Sequence, residues 1–223
     1  MPPIDWLGER LHLCAARALY WRRRRTLLVA DTHFGKDAAF RRAGIPIPVS
    51  AMEDDLVRLG RLVDTTAAER VLVLGDFFHA RPTPDEPFAA ALERWLSARP
   101  GVEVCAVPGN HDHHGGAGTL PGLVRWLPEG VVEAPFVFRH EPAADPAGYV
   151  LAGHLHPVVR LASAARDRLR LPVLWLSRDV GVLPAFGGFT GGAPVSPAPG
   201  DRVWAFGADE VLPIAVGGEP ARA

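Results

Sequence analysis

Histidine, aspartate and asparagine residues crowd into three short stretches of this chain. The stretch GNHDHH at 109–114 places three of the nine histidines around one aspartate, and DTHFGK at 31–36 and GHLH at 153–156 have a similar character. Neighbouring imidazoles repel each other once they are protonated, so such crowding is costly unless the rings bind a ligand. Their nitrogen and oxygen atoms, with no thiolate among them, suit Mn²⁺, Fe²⁺ or Zn²⁺ better than Ca²⁺. These residues therefore predict a site for divalent metal ions.

Each polar cluster begins where a predicted strand ends. The runs TLLVAD at 26–31, RVLVLGD at 70–76 and VEVCAVPGN at 102–110 are rich in valine and leucine without alternation, which predicts buried strands. In open α/β sheets ligands bind beyond the carboxyl ends of the strands, so the following loops should converge. With the ends of FVFRH and YVLA included, five strand ends supply the candidate ligands Asp31, His33, Asp76, Asn110, His140, His154 and His156.

The number of candidate ligands favours two ions. One ion takes about four to six ligands, some of them water, whereas seven protein ligands suit two ions that share a carboxylate. Two-metal hydrolases hold their ions about 3.5–4 Å apart and lower the pKa of a water between them. The surplus positive charge of such a centre suits a phosphate ester better than a neutral peptide.

The first half of the sequence predicts alternating strands and helices. Leucine spacing in 52–64 and the composition of 87–98 predict two helices between the three strands, with Ser50 as a candidate N-cap. This order favours parallel pairing with right-handed crossovers. For WRRRR at 21–25, a solvated hairpin turn is favoured over a basic patch.

The second half predicts short strands separated by turns, which favours antiparallel pairing or a second sheet. These stretches are FVFRH, GYVLAGHLH, PVVRLA, RLRLPVLWLS, GVLPAF, RVWAFG and VLPIAV. The Gly/Pro-rich stretch 187–200 predicts an ordered loop. The two halves together predict an α/β fold with helices outside two sheets, and we expect one domain over residues 1–223 because no linker, repeat or charge block divides the chain.

The overall composition argues against several other classes. The net charge of −1 does not favour a protein that coats nucleic acid through a strongly basic surface. Two cysteines are too few for a disulfide scaffold, and no apolar run is long enough to predict a membrane span. The N-terminal residues lack the apolar stretch of a signal peptide. We therefore expect a cytoplasmic protein with no membrane partner, and its oligomeric state stays open.

Five elements in order along the chain resemble the signature of the calcineurin-like metallophosphoesterases. They are DTH at 31–33, GD at 75–76, GNHD at 109–112, His140 and GHLH at 153–156. The resemblance implies an αββα sandwich of two mixed sheets flanked by helices. It also implies two divalent ions, with Mn²⁺ favoured over Fe²⁺ or Zn²⁺. The implied ligands are Asp31, His33 and His156 for one ion, Asn110, His140 and His154 for the other, and Asp76 as the bridge.

Longer stretches resemble a bacterial subgroup of this family, the ligase-associated DNA damage response phosphoesterases. These stretches include DTHFGKDAAFRRAGIPIP, RVLVLGDFFHAR, YVLAGHLHPVVRL and LPAFGGFTGG. The resemblance implies hydrolysis of phosphodiester bonds in DNA or nucleotides, 2′,3′-cyclic nucleotides included. It further implies a DNA repair system with a DNA ligase, a helicase and an exonuclease as partners.

Two alternatives differ from this function, the first in its substrate and the second in its functional class. One is a phosphomonoesterase of the same superfamily, and the other is a non-catalytic scaffold for the helicase, ligase and exonuclease. Scaffolds on enzyme folds are expected to lose ligands, and here every ligand position is filled, which argues against the second alternative.

His111 and Asp112 are the candidate catalytic residues. His111 follows the candidate ligand Asn110, so its ring is expected to protonate the leaving oxygen or to bind a phosphate oxygen. Asp112 is expected to hold the His111 ring and fix its tautomer.

Other residues near the motifs have two readings each. Lys36, His79 and His113 are candidate substrate contacts. A solvated lysine and solvated loop histidines at 113 and 114 are equally compatible with the sequence, whereas for His79 a contact with the substrate or with a ligand residue is favoured. Arg139 and Arg160 flank the same strand ends, where arginines are often simply exposed. In the glycine-rich loop, Phe186, Phe189 and Thr190 are candidates for stacking on a base, and packing against the second sheet is favoured for at least one phenylalanine.

Overall fold

The first sheet of the protein contains the predicted parallel strands. The computed structural model describes residues 1–46, 51–80, 88–114, 120–162 and 168–216, so Ser50 lies outside the described residues. Within these ranges the sheet has seven strands: β1 (Pro3–Trp6), β2 (Glu9–Cys14), β3 (Ala18–Trp21), β4 (Thr26–Ala30), β5 (Arg70–Leu74), β6 (Glu103–Val107) and β7 (Arg125–Trp126). Their spatial order equals their chain order. β4 to β7 are parallel, as predicted for β4, β5 and β6, while β1 to β4 form an antiparallel meander that the sequence did not predict.

Three α-helices are present in the described residues: α1 (Lys36–Arg42), α2 (Ala51–Thr66) and α3 (Phe88–Ser97). α2 and α3 match the two predicted helices. The buried residues Leu56, Leu59 and Leu92 join the core cluster on one face of the first sheet, so α2 and α3 cover that face. No helix in the described part of the chain is long and apolar enough to cross a membrane.

The second sheet contains nine strands within the described residues: β8 (Val131–Glu133), β9 (Phe136–Phe138), β10 (Tyr149–Ala152), β11 (Pro157–Ala162), β12 (Arg168–Leu176), β13 (Val180–Val182), β14 (Ala193–Pro194), β15 (Arg202–Phe206) and β16 (Val211–Ile214). β9, β10 and β13 are parallel, whereas β11, β12, β15 and β16 pair with their neighbours mainly in antiparallel fashion. The predicted ordered loop 187–200 contains the short strand β14.

The two sheets pack face to face. Leu28 and Leu72 of the first sheet share a buried cluster with Phe138 and Leu174 of the second, and the ring of Trp21 meets that of Phe136 edge-on at 5.1 Å. The α/β class with two mixed sheets is therefore confirmed. In the described ranges no α-helix follows α3, and the outer face of the second sheet instead carries a small apolar cluster: Val159, Val173, Val203 and Ala205.

The WRRRR stretch is a tight turn between two antiparallel strands, as predicted. A 3₁₀ turn at Arg22–Arg24 joins β3 to β4. The Arg23 guanidinium donates to the buried carboxylate of Glu9, and Arg25 forms an ion pair with Glu69. Two of the four arginine charges are thus matched by acids of this chain.

Candidate metal centre

The loops that follow the strands of both sheets meet at one edge of the sandwich. Asp31 directly follows β4, and His154 lies in the loop between β10 and β11. The backbone N–H of His154 donates to both carboxylate oxygens of Asp31, at 3.1 and 3.0 Å. This pair of hydrogen bonds joins the site-bearing loops of the two sheets, so the candidate site exists only when both sheets have formed.

One group of potential ligand atoms consists of Asp31, His33 and His156, whose ligand atoms all lie within 4.8 Å of one another. Nε2 of His33 is 3.4 Å from Nε2 of His156, which in turn is 3.5 Å from Oδ1 of Asp31. Two imidazole nitrogens that face each other need a proton or a cation between them. This arrangement fits a metal ion.

A second group consists of Asp31, Asp76 and His140. Nε2 of His140 lies 3.6 Å from Oδ1 of Asp76 and 3.0 Å from Nδ1 of His154. Asp76 also faces the first group, because its Oδ2 is 3.8 Å from Nε2 of His33. The two oxygens of Asp76 therefore point to different groups, as a shared carboxylate would.

All of the predicted ligands lie at this edge of the sandwich. A cleft of about 260 Å³ is lined by His33, Lys36, Asp76, His79, Asn110, His111, His154, His156 and Gly191. Asp31 and His140 are buried behind it, with 0% and 1% exposure.

Five of these side chains sit on strained backbone. Asp31, His33, Asp76, His154 and His156 all have φ between 45° and 69°. Residues with a Cβ rarely adopt this left-handed conformation, which costs about 1–2 kcal/mol per residue. Strain of this kind concentrates at functional sites, where the surrounding structure enforces it.

Glycine is required beside two of the site residues because of close packing. A Cβ on Gly75 would overlap the imidazole of His140, and a Cβ on Gly109 would overlap the backbone nitrogen and carboxylate of Asp76. The glycines of the GD and GNHD motifs thus make room for a site residue from another loop.

Burial controls the charge of the central histidine. Burial, followed by the positive charge of Lys36, lowers the pKa of His33 to about 2. The same two causes lower the pKa of His79 to about 4, and burial also lowers the pKa of Lys36. His33 is therefore neutral at physiological pH, which is the form in which imidazole binds metal.

The structure corrects the expected role of Asp112. Its buried carboxylate accepts hydrogen bonds from the backbone N–H groups of Phe77, Phe78 and Gly109, at 2.9–3.0 Å. It ties the loop after β6 to the loop after β5 and does not hold the His111 ring. Sequence reasoning missed this role because the nearest acid in sequence was assumed to be the partner of the ring.

The His111 ring is oriented by a carbonyl group. Nδ1 of His111 lies 2.6 Å from the carbonyl oxygen of His79, so Nδ1 carries the donated proton and Nε2 is left free. The backbone N–H of His111 donates to Oδ1 of Asp76 at 3.0 Å. The ring also stacks on that of His79, with centroids 5.0 Å apart.

The remaining predicted contacts divide into two sets. Lys36 and His79 line the metal cleft, whereas His113 is exposed and does not belong to its lining. Phe186 is fully buried and packs in the core, with Cζ of Arg58 4.1 Å from the centroid of the Phe186 ring. Phe189 is 43% exposed. Arg139 is partly buried, and Arg160 is exposed on β11.

A two-sheet α/β sandwich that gathers carboxylates and imidazoles at its strand ends has the architecture of a metallohydrolase. The chain belongs to the calcineurin-like phosphoesterase family, whose model matches residues 24–220. It is accordingly a metal-dependent phosphoesterase, and the family uses divalent metal ions.

Solved structures include a close relative. The crystal structure of Pseudomonas putida nuclease MPE is similar over 96% of this chain and 99% of that chain, with 37% identity and a TM-score of 0.79. The match to a conserved uncharacterized protein from Streptococcus pneumoniae TIGR4 covers 81% of each chain at 15% identity, with a TM-score of 0.30. No curated protein sequence matches this chain.

Proposed function

We propose that this phosphoesterase is a two-metal phosphodiesterase or nuclease that acts on DNA or nucleotides, 2′,3′-cyclic nucleotides included. The observation that carries the proposal is the convergence of ligand atoms from both sheets into two adjoining groups that share Asp31. Similarity over almost the whole length to a protein described as a nuclease supports a phosphodiester as the substrate.

The proposed assignment keeps the first group as one ion site and takes Asp76 as the shared carboxylate, with Asn110 and His154 added to the second site. Asp31, His33 and His156 hold one ion, and His140, His154 and Asn110 hold the other. Asp76 bridges them, which the orientation of its two oxygens toward His33 and His140 supports. The nitrogen and oxygen donor set suits Mn²⁺, with Fe²⁺ and Zn²⁺ as the other candidates.

Bound ions of this kind supply a nucleophilic water at neutral pH and offset charge on the non-bridging phosphate oxygens. The protein's own groups do the rest. Because the His79 carbonyl accepts the Nδ1 proton of His111, Nε2 is the atom that faces the substrate. When it is protonated, Nε2 donates to a phosphate oxygen or gives its proton to the leaving oxygen. Lys36 lines the same cleft as His111 and is a further contact for a phosphate oxygen.

A comparison of two synthetic substrates tests the reaction class. With Mn²⁺ present, we expect higher kcat/KM for bis-p-nitrophenyl phosphate, a diester, than for p-nitrophenyl phosphate, a monoester. A clear preference for the monoester would identify a phosphomonoesterase instead.

We further propose cytoplasmic DNA repair as the setting, with a DNA ligase, a helicase and an exonuclease as partners. The long stretches that resemble the ligase-associated subgroup support this setting. An Asp76→Ala protein is expected not to restore resistance to DNA damage in cells that lack the wild-type protein. Full restoration by that variant would favour the scaffold alternative.

A further inference from the structure

A second cleft adjoins the metal cleft. The two share His156 and Gly191, and the second cleft is also lined by Arg17, Arg170 and Thr190. Its volume is about 160 Å³, well above the roughly 10–15 Å³ that a single water molecule needs, which leaves room for a phosphate group beside the metal site.

Arg17 brings a partly buried positive charge to this second cleft. It lies between β2 and β3 on strained backbone, with φ of 65°. Burial and the neighbouring charge of Arg58 lower the pKa of Arg17 to about 10. Asp55, the acid whose charge acts on Arg17, is already bonded to Arg58 at 2.7 Å and to the Gly188 amide at 2.9 Å.

Arg160 and Arg170 extend the positive charge along the β11–β12 hairpin. They stand directly opposite each other in the antiparallel pairing, so both side chains project from the same face. That face also carries Val158 and Pro172, which line the second cleft. Like charges in directly opposed positions destabilise a sheet, so this pair has a cost that an anionic ligand would remove.

Within the described ranges these three arginines have no acidic partner. Among the described residues, no carboxylate lies within ion-pair distance of Arg17, Arg160 or Arg170. A guanidinium with free donors matches the geometry of a phosphate group and binds it through two parallel hydrogen bonds.

We propose that Arg17, Arg170 and Arg160 bind the backbone phosphates next to the scissile phosphodiester, so the substrate is a polynucleotide strand rather than a mononucleotide. This inference rests on the proposed phosphodiesterase function. The four residue steps from His156 to Arg160 span roughly 13 Å, so the arginines lie within reach of the phosphates that neighbour a scissile phosphate at the metal site.

Three substrates separate this inference from the function on which it rests. A single-stranded DNA oligonucleotide has flanking phosphates, whereas the dinucleoside monophosphate TpT and bis-p-nitrophenyl phosphate have only the scissile one. For Arg17→Gln and for Arg170→Gln, we expect the ratio of kcat/KM on the oligonucleotide to kcat/KM on TpT to fall about tenfold. The ratio of kcat/KM on the oligonucleotide to kcat/KM on bis-p-nitrophenyl phosphate should fall by the same factor.

Salt dependence gives a second readout. Each phosphate contact on a single strand contributes about 0.7 to the slope of log affinity against log salt concentration. Each arginine substitution is therefore expected to make the slope of oligonucleotide binding shallower by about 0.7. The Arg160→Gln, Arg170→Gln double variant should lose about twice that amount.

Arg178→Gln is the matched control. Arg178 is exposed two residues beyond the opposite end of β12, roughly 25 Å from Arg170 in the strand direction, so its substitution removes the same charge away from the cleft. It should keep the wild-type ratio and slope. Circular dichroism checks folding, and Arg170→Gln, an exposed strand position, keeps the test decisive if Arg17→Gln does not fold.

The outcomes distinguish the two proposals. If the wild type cleaves both diesters but Arg170→Gln keeps the wild-type ratio and slope, or Arg178→Gln lowers them equally, the phosphate contacts are overturned while the phosphodiesterase function stands. If the wild type cleaves no diester in Mn²⁺, the proposed function itself is overturned.

Discussion

Gly75 and Gly109 leave the space that the side chains of His140 and Asp76 occupy at the site. Gly75 has φ of 76° and would overlap His140 if it carried a Cβ, whereas Gly8 has φ of 80° and faces open space. An alanine at either position would be strained by the left-handed backbone, but only at Gly75 would its methyl group also overlap a neighbouring side chain. This difference makes them a matched pair.

We expect Gly75→Ala to abolish Mn²⁺ binding, because the added methyl group must displace the imidazole of His140. Gly8→Ala should cost about 1 kcal/mol of stability through its backbone and leave Mn²⁺ binding unchanged. Isothermal titration with Mn²⁺ and thermal unfolding measure both effects. Wild-type Mn²⁺ binding by Gly75→Ala would show that the position of His140 is not essential.

Asp76 and His111 are expected to fail in different ways when truncated. Asp76→Ala should lose bound metal and reduce activity at least about 100-fold, because its two oxygens face both ligand groups. His111→Ala should retain the metal, since its contact with Asp76 uses the backbone N–H, and should lower kcat by about 10²–10⁴.

Metal analysis of the purified variants decides between these roles. An ion missing from His111→Ala would mean that His111 is a ligand. That reading has a structural basis, because His33, His79 and His111 also bring ligand atoms within 4.8 Å of one another.

For individual residues, the sequence predicts which side chains lie together at the site but not which hydrogen bonds fix their positions. The candidate ligands could be selected because they follow apolar strands, and all of them lie at the same edge of the sandwich. The partners of Asp112 and of the His111 ring are backbone groups, those of the loop at 77–79 and of Gly109. Contacts to backbone groups leave no residue-type signal, so the sequence could not indicate them.

The strands and helices differ in how clearly the sequence marks them. β4, β5 and β6 are continuous apolar runs, and α2 and α3 have helical spacing, so all five were predicted. β2 does alternate, with Leu11 and Leu13 buried and Arg10 exposed, but its inward-facing Glu9 breaks the pattern. Glu9 is accommodated because Trp21 and Arg23 both donate to it, a partnership that only the folded chain shows.

An ion pair connects the two sheets away from the metal site. Arg70 at the start of β5 binds Glu133 at the end of β8 through two hydrogen bonds, at 2.7 and 2.8 Å. Both side chains are less than one-fifth exposed. The hydrogen bonds from Arg70 hold the pKa of Glu133 below its usual value of 4.5.

We expect Glu133→Gln to destabilise the protein by about 1–3 kcal/mol at neutral pH, because Arg70 loses its charged partner. A lowered carboxyl pKa contributes stability above the unfolded-state value, and this contribution is lost as the pH falls through the folded-state value. The difference between wild type and variant should therefore shrink below about pH 4.5. Denaturant unfolding at neutral and acid pH measures it.

Glu129→Gln serves as the control for the ion pair, since Glu129 is an exposed acid close in sequence to β8. Its substitution should change stability by less than about 0.5 kcal/mol. Equal stability of wild type and Glu133→Gln at neutral pH would show that the pair contributes nothing to joining the sheets.

Across the whole molecule, function depends on the two sheets meeting at one edge. Asp31, His33, Asp76 and Asn110 come from loops of the first sheet, and His140, His154 and His156 come from loops of the second. The net charge of −1 means that attraction for phosphate comes from the bound ions and from local arginines, not from the protein as a whole. The composition indicates that the protein as a whole has no strong positive potential. Only the folded structure shows that Arg17 and Arg170 line the same cleft.

An anomalous difference map of a Mn²⁺-soaked crystal tests most directly whether this edge holds two metal ions. We expect two peaks about 3.5–4 Å apart, with Asp76 contacting both and the histidines of the two sheets divided between them. A single peak, or peaks bound by residues other than Asp31, Asp76 and His154, would contradict the account.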